Sequence, residues 1–127
     1  RGVSSTEDLE EMRNSWSGTY KTSTEQSALY RLTGDLHPIH IDIVVAQANN
    51  FERPILHGLC TLGIVVRMIS QSLGAKPTDL KKMEARLSNP VIPGDLIDVT
   101  ADYNSNDITF EASVGTISVI KGGRALF

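Results

Sequence analysis

Gly58-Leu-Cys-Thr-Leu-Gly-Ile-Val-Val-Arg-Met-Ile-Ser-Gln-Ser-Leu73 is the stretch on which the reading of the fold turns. Placed on a helix, its apolar side chains, from Leu59 and Cys60 through Ile64, Val65, Val66, Met68 and Ile69 to Leu73, cover most of the circumference. Only Gly63, Arg67, Ser70 and Gln71 leave a polar stripe. A helix apolar on most sides must be wrapped by other structure rather than laid on one surface. At ~1.5 Å per residue it would run roughly 24 Å, enough to fill the inside of a curved sheet. Gly74 and Pro77 end it.

Downstream, residues 81–87, 96–103, 108–114 and 117–126 read as strands, with a hairpin at 104–107. Upstream, the Thr/Tyr/Lys/Thr pattern at 18–22 reads as a short first strand. Ser23 and Gln26 resemble a capping box for a short helix that should stop at Gly34. Asp42 can cap a second short helix from Ile43 to about Ala48, closed by Asn49 and Asn50. The order of elements indicates one α+β domain, an antiparallel sheet curled round a long helix.

At 127 residues the chain holds a single core. Its net charge of −3, with no basic cluster, argues against a nucleic-acid partner. No apolar run is long enough to span a bilayer, so no membrane partner is expected. The lone Cys60 provides no disulfide framework and suits a reducing compartment. Residues 1–15 are polar and charged and read as an arm or linker, leaving 16–127 as the domain. The first residue is Arg1 rather than Met, which reads as a domain cut from a longer protein or a processed chain.

The chemistry concentrates in Tyr30-Arg-Leu-Thr-Gly-Asp-Leu-His-Pro-Ile-His40 and Phe51-Glu-Arg-Pro-Ile-Leu-His-Gly-Leu-Cys-Thr61. Asp35 and His40 stand on one turn-rich loop stiffened by Pro38, and Gly58 opens the long helix. A carboxylate and an imidazole beside free backbone N–H groups can move protons and support a developing oxyanion. Each residue also has a plainer reading: Gly34-Asp35 as a turn, His40 as a half-buried residue between two isoleucines. His37-Pro-Ile-His40 has ligand-like spacing, but Pro38 breaks the helical geometry that would align the rings, and no metal or other cofactor is expected. Cys60, among apolar neighbours, reads as a buried structural thiol rather than a nucleophile. Lys81, Lys82 and Arg86 read as a solvated strand edge, or as contacts for substrate phosphates.

The first block, with Ala46 placed beyond it, resembles the signature of the (R)-specific enoyl-CoA hydratases, the hydratase 2 group of the MaoC-like dehydratases. The 51–61 block and Arg86-Leu-Ser-Asn-Pro-Val-Ile-Pro-Gly-Asp95 resemble that family's second and third blocks. The likeness covers about residues 16–127 and is nearest to the hydratase 2 domain of peroxisomal multifunctional enzymes.

The resemblance implies a hot-dog fold and syn addition of water to a trans-2-enoyl thioester, giving the (3R)-hydroxyacyl product. It places Asp35 and His40 at the catalytic positions and Gly58 where a backbone N–H faces the thioester oxygen. His37, Phe51, His57 and Arg86 are the expected substrate contacts. His37 stands where the family usually has Asn, and Leu87 where an aromatic is frequent. An acyl-CoA thioester is the expected substrate, with a homodimer or a second hot-dog domain as partner. A soluble intracellular chain is expected, cytoplasmic in a bacterium or in the peroxisomal matrix. The alternatives are a dehydratase acting on carrier-protein thioesters and a non-catalytic hot-dog partner subunit.

Overall fold

The computed structural model describes residues 13–127. The expected arm therefore lies, for residues 1–12, outside the described residues. Strand β1 (Arg13–Lys21) begins earlier than the expected 18–22 segment. Its apolar alternation is interrupted at Gly18, where a Cβ would meet the Trp16 ring at 2.5 Å. The missing side chain makes room for Trp16, so the strand continues through a position that weakens its sequence pattern.

Helix α1 (Gln26–Tyr30) passes into a 3-10 turn that ends at Gly34, with φ of 118°. The capping box forms by half: the Ser23 N–H donates to Gln26 Oε1 at 3.3 Å, while the Ser23 hydroxyl oxygen accepts from the Glu25 N–H. A second 3-10 turn, Pro38–His40, precedes helix α2 (Ile43–Ala48). Asp42 caps α2, its carboxylate accepting from the N–H groups of Val44 and Val45. Helix α3 (Gly58–Leu73) is followed by β2 (Lys82–Leu87), β3 (Leu96–Asn104), β4 (Asp107–Val114) and β5 (Ile117–Leu126). The later elements match their expected bounds to within a residue.

The five strands form one antiparallel sheet in the order β1-β3-β4-β5-β2. Buried side chains of α3, among them Val65 and Ile69, share one core with Ile97 and Val99 of β3, Ile108 and Phe110 of β4, and Val119 and Ile120 of β5. Val65, Ile69, Ile97, Ile108 and Ile120 are wholly buried. This is the hot-dog fold, a long helix filling a curved sheet.

One detail of the helix differs from the sequence reading. Ser70 is buried rather than part of the polar stripe, and its hydroxyl donates to the Arg67 carbonyl at 2.9 Å. Leu59 takes its place on the exposed side. The solvent stripe is thus Leu59, Gly63, Arg67 and Gln71, each four residues from the next. A serine that satisfies its own hydroxyl on the preceding turn can be buried without a tertiary partner. Among the described residues, no helix is long and apolar enough to cross a membrane.

Candidate active site

Backbone hydrogen bonds lace the three sequence blocks together beside the start of α3. The Ile55 N–H donates to the Ile39 carbonyl at 3.2 Å, and the Leu56 N–H to the Val91 carbonyl at 2.7 Å. The third block is held in turn by Thr22, whose hydroxyl donates to the Asp95 carbonyl and accepts from the Gly94 N–H, both at 2.8 Å. Gly94 has φ of +101°, a conformation that favours glycine in this turn.

His40 is half-buried, and its Nδ1 lies 2.7 Å from the Ile55 carbonyl oxygen. A carbonyl only accepts, so Nδ1 carries the proton and Nε2 presents a lone pair. Ser27, on α1, donates its hydroxyl to the same carbonyl at 3.3 Å. Burial pushes the His40 pKa below the ordinary imidazole value; the Ile55 carbonyl opposes that shift, and the neighbouring His57 adds to it. The imidazole is therefore held neutral at physiological pH, the form a proton acceptor needs.

His57 stacks on His40, with ring centroids 3.7 Å apart and planes 21° from parallel. Its Nε2 lies 3.1 Å from the Asp35 carbonyl oxygen and 4.0 Å from the Asp35 carboxylate. Tyr30 packs on the same ring at 4.6 Å. The Asp35 carboxylate itself faces solvent, with 56% of its side chain exposed, and accepts a long 3.4 Å bond from the His37 N–H. An exposed carboxylate thus lies within 4.8 Å of ring nitrogens of both imidazoles.

Gly58 opens α3 directly after His57. The first helical bonds run from the N–H groups of Cys60 and Thr61 to the His57 carbonyl, so the N–H groups of Gly58 and Leu59 precede the ladder. A Cβ at Gly58 would lie 2.5 Å from Leu87 Cδ1. Gly58 and Leu87 line a cleft of about 230 Å³ with Ile55, Thr61 and Val91, while His40 lines a neighbouring cleft of about 330 Å³ with Ser27, Ile41 and Pro54.

Residues 10–123 match the MaoC like domain. The chain belongs to the MaoC-like family. It is 45% identical over 96 residues to peroxisomal multifunctional enzyme type 2 of Drosophila melanogaster, covering 75% of this chain and 16% of that protein. It is 41% identical over 78 residues to the peroxisomal enoyl-CoA hydratase 2 of Arabidopsis thaliana, covering 61% of this chain and 25% of the relative. The solved structure of the full-length Drosophila enzyme superposes with a TM-score of 0.83 at 40% identity, over 87% of this chain and 21% of that one. The chain therefore spans a quarter or less of these two relatives.

Within this MaoC-like domain, Asp35, His40 and His57 each offer a ligand-type atom within 4.8 Å of the others. The set does not fit a metal ion. His40 Nδ1 and His57 Nε2 are engaged by carbonyls, and near-parallel rings point their in-plane lone pairs side by side rather than to a common centre. His37 is exposed, and its Nδ1 accepts from the Ile39 N–H at 3.1 Å, capping the 3-10 turn as an Asn side-chain oxygen can. The imidazole thus supplies an acceptor at this point of the loop.

The expected substrate contacts differ in their surroundings. His57 is only 2% exposed, with Tyr30 and His40 packed on its ring. Phe51 is half-buried after α2, its N–H donating to the Ala46 carbonyl, and lines neither cleft. Arg86 is exposed on β2, next to Leu87. Ser27, Tyr30 and Ile55 adjoin these side chains without a mark in the sequence. Ile55 acts through its main chain, which leaves no mark on residue type; Ser27 and Tyr30 read as ordinary helix positions until α1 folds onto the loop.

Proposed function

We propose that this domain catalyses (R)-specific hydration of trans-2-enoyl-CoA to (3R)-hydroxyacyl-CoA, or the reverse dehydration. The observation that carries this reading is the neutral His40 with Nε2 unprotonated, grouped within 4.8 Å with Asp35 and stacked on His57, the residue before Gly58. Water attacks C3 of the enoyl group while C2 gains a proton. The Asp35/His40 pair takes one proton from water and returns one to C2 on the same face, ending the cycle as it began. Negative charge builds on the thioester oxygen, and the Gly58 N–H, at the positive end of α3, supports it. Glycine leaves the approach to that N–H free of a Cβ. Arg86, with its charge exposed beside Leu87, is the proposed contact for the phosphates of the CoA handle, and Phe51 for the acyl part of the substrate.

Support for the substrate class comes from the hydratase named in the Arabidopsis relative and from the identity with the Drosophila enzyme. The peroxisomal names of these relatives favour a peroxisomal matrix location over a bacterial cytoplasm. We further propose pairing with a second hot-dog domain, as a homodimer or otherwise. The free edge of β2 and the exposed Leu32, Leu36 and Leu59 supply main-chain and apolar surface for it. The deciding assay follows loss of enoyl-thioester absorbance with CoA and carrier-protein substrates, then analyses the product on a chiral column. A (3R)-hydroxyacyl-CoA product is expected. Turnover confined to carrier-protein thioesters would redirect the substrate class, and no turnover of either would remove the enzymatic reading.

A further inference from the structure

We propose that His57 is the positioning residue of this site, one buried imidazole that sets the base, the acid loop and the oxyanion helix in register. The inference rests on the hydratase reading and assigns His57 a role different from that of a substrate contact. Three parts of the residue do three different things. Its ring face stacks on His40 at 3.7 Å and limits how far that imidazole can tilt about its bond to Ile55. Its ring edge holds the acid loop: Nε2 lies 3.1 Å from the Asp35 carbonyl, which can only accept, so Nε2 carries the proton. Its own carbonyl accepts from the N–H groups of Cys60 and Thr61, so its main chain is the start of α3, one residue before Gly58.

The remaining nitrogen argues that packing alone is not the reason for a histidine here. His57 is 2% exposed, and Nδ1 has no hydrogen-bond partner among the described residues. Phenylalanine would fill the same space and stack on the same ring without burying an unpaired nitrogen. What phenylalanine lacks is the N–H that reaches the Asp35 main chain. The Asp35 side chain is exposed and receives only a long bond from the His37 N–H, so the hold on its main chain matters to where the carboxylate stands.

The test compares kcat and KM for a trans-2-enoyl-CoA in His57→Phe, His57→Gln and His57→Met, with Asp35→Asn as the control. Phe keeps the stack and removes the donor; Gln can return an N–H near the Nε2 position; Met fills space with neither. Misplaced reacting groups cost rate, so kcat of His57→Phe should fall by about ten- to a hundredfold with KM little changed. His57→Gln should recover part of that loss, and a purely structural role would give no such rescue. Wild-type kcat in His57→Phe overturns the inference. Should His57→Phe fail to fold, the other pair decides: Gln more active than Met supports the role, and equal activity overturns it. An inactive Asp35→Asn beside a fully active His57→Phe sinks this inference alone. A fully active Asp35→Asn sinks the hydratase reading and this inference with it.

Discussion

His40 Nδ1 and the Ile55 carbonyl oxygen lie 2.7 Å apart, and that single contact determines which nitrogen of the imidazole is free to accept a proton. The carbonyl belongs to the second sequence block and the histidine to the first. The Ile39 carbonyl accepts from the Ile55 N–H in return, so the two blocks are paired at consecutive residues. An imidazole presented this way needs no reorganisation to receive a proton at Nε2.

Asp35→Asn and His40→Gln should each lower kcat by about 10²–10⁴-fold, the usual contribution of a positioned acid or base. Neither side chain is deeply buried, so thermal unfolding should remain close to that of the unaltered chain. Steady-state kinetics with crotonyl-CoA, run beside a melting curve, checks both parts. Retained turnover in either variant would count against the dyad.

The pH dependence follows from the lowered His40 pKa. A group whose folded pKa lies beneath its unfolded value of about 6.5 is protonated more readily in the unfolded chain. Its contribution to stability is intact above that value and is lost as pH falls through it towards the folded pKa. Activity should hold on the acid side to a lower pH than an ordinary histidine allows, then fall as His40 takes up its proton. A pH profile of kcat/KM with its acid limb above 6.5 would contradict this direction.

Gly58→Ala separates helix propensity from substrate approach. The new methyl meets Leu87 Cδ1, the mobile end of an exposed side chain, so the fold should survive with a stability change within about 1 kcal/mol. Activity should fall by about tenfold or more because the methyl crowds the N–H proposed to face the thioester. Adding Leu87→Ala removes the clash and should restore packing without restoring turnover. Full rescue by the double variant would show that Leu87 displacement, not the N–H, limits the reaction.

His37→Asn and His37→Ala test the capping role of that imidazole. Asn keeps an acceptor for the Ile39 N–H and should stay within a few-fold of normal activity, whereas Ala should cost about 1 kcal/mol of stability. Denaturant unfolding of both variants reads the difference. Equal stability would mean that the 3-10 turn does not depend on its cap.

In the core, Ile69→Ala should cost about 2–5 kcal/mol, since Ile69 is wholly buried within the cluster that joins α3 to the sheet. The corresponding change at Leu59, which is 70% exposed, should move stability by no more than about 0.5 kcal/mol. Paired melting curves of the two variants measure how firmly the helix is wrapped.

Much of the fold was legible in the chain itself. The span of α3 follows from an apolar run bounded by Gly58 and Gly74, the cap of α2 from Asp42, and β3 to β5 from alternation and turn residues. These are local properties, set by side-chain periodicity and by backbone preference at glycine and aspartate. The start of β1 was hidden because Gly18 yields its side-chain space to Trp16, a contact that only the folded sheet creates.

The amino-acid sequence by itself determined which residues are candidates for the chemistry, Asp35, His40 and Gly58, and the helix that Gly58 opens. Only the tertiary structure decided the protonation pattern of His40 and the burial of His57 between Tyr30 and His40. The physical reason is that these properties depend on main-chain carbonyls and ring faces from distant segments. A carbonyl is the same at every residue, so the sequence names the imidazole but not the oxygen that orients it.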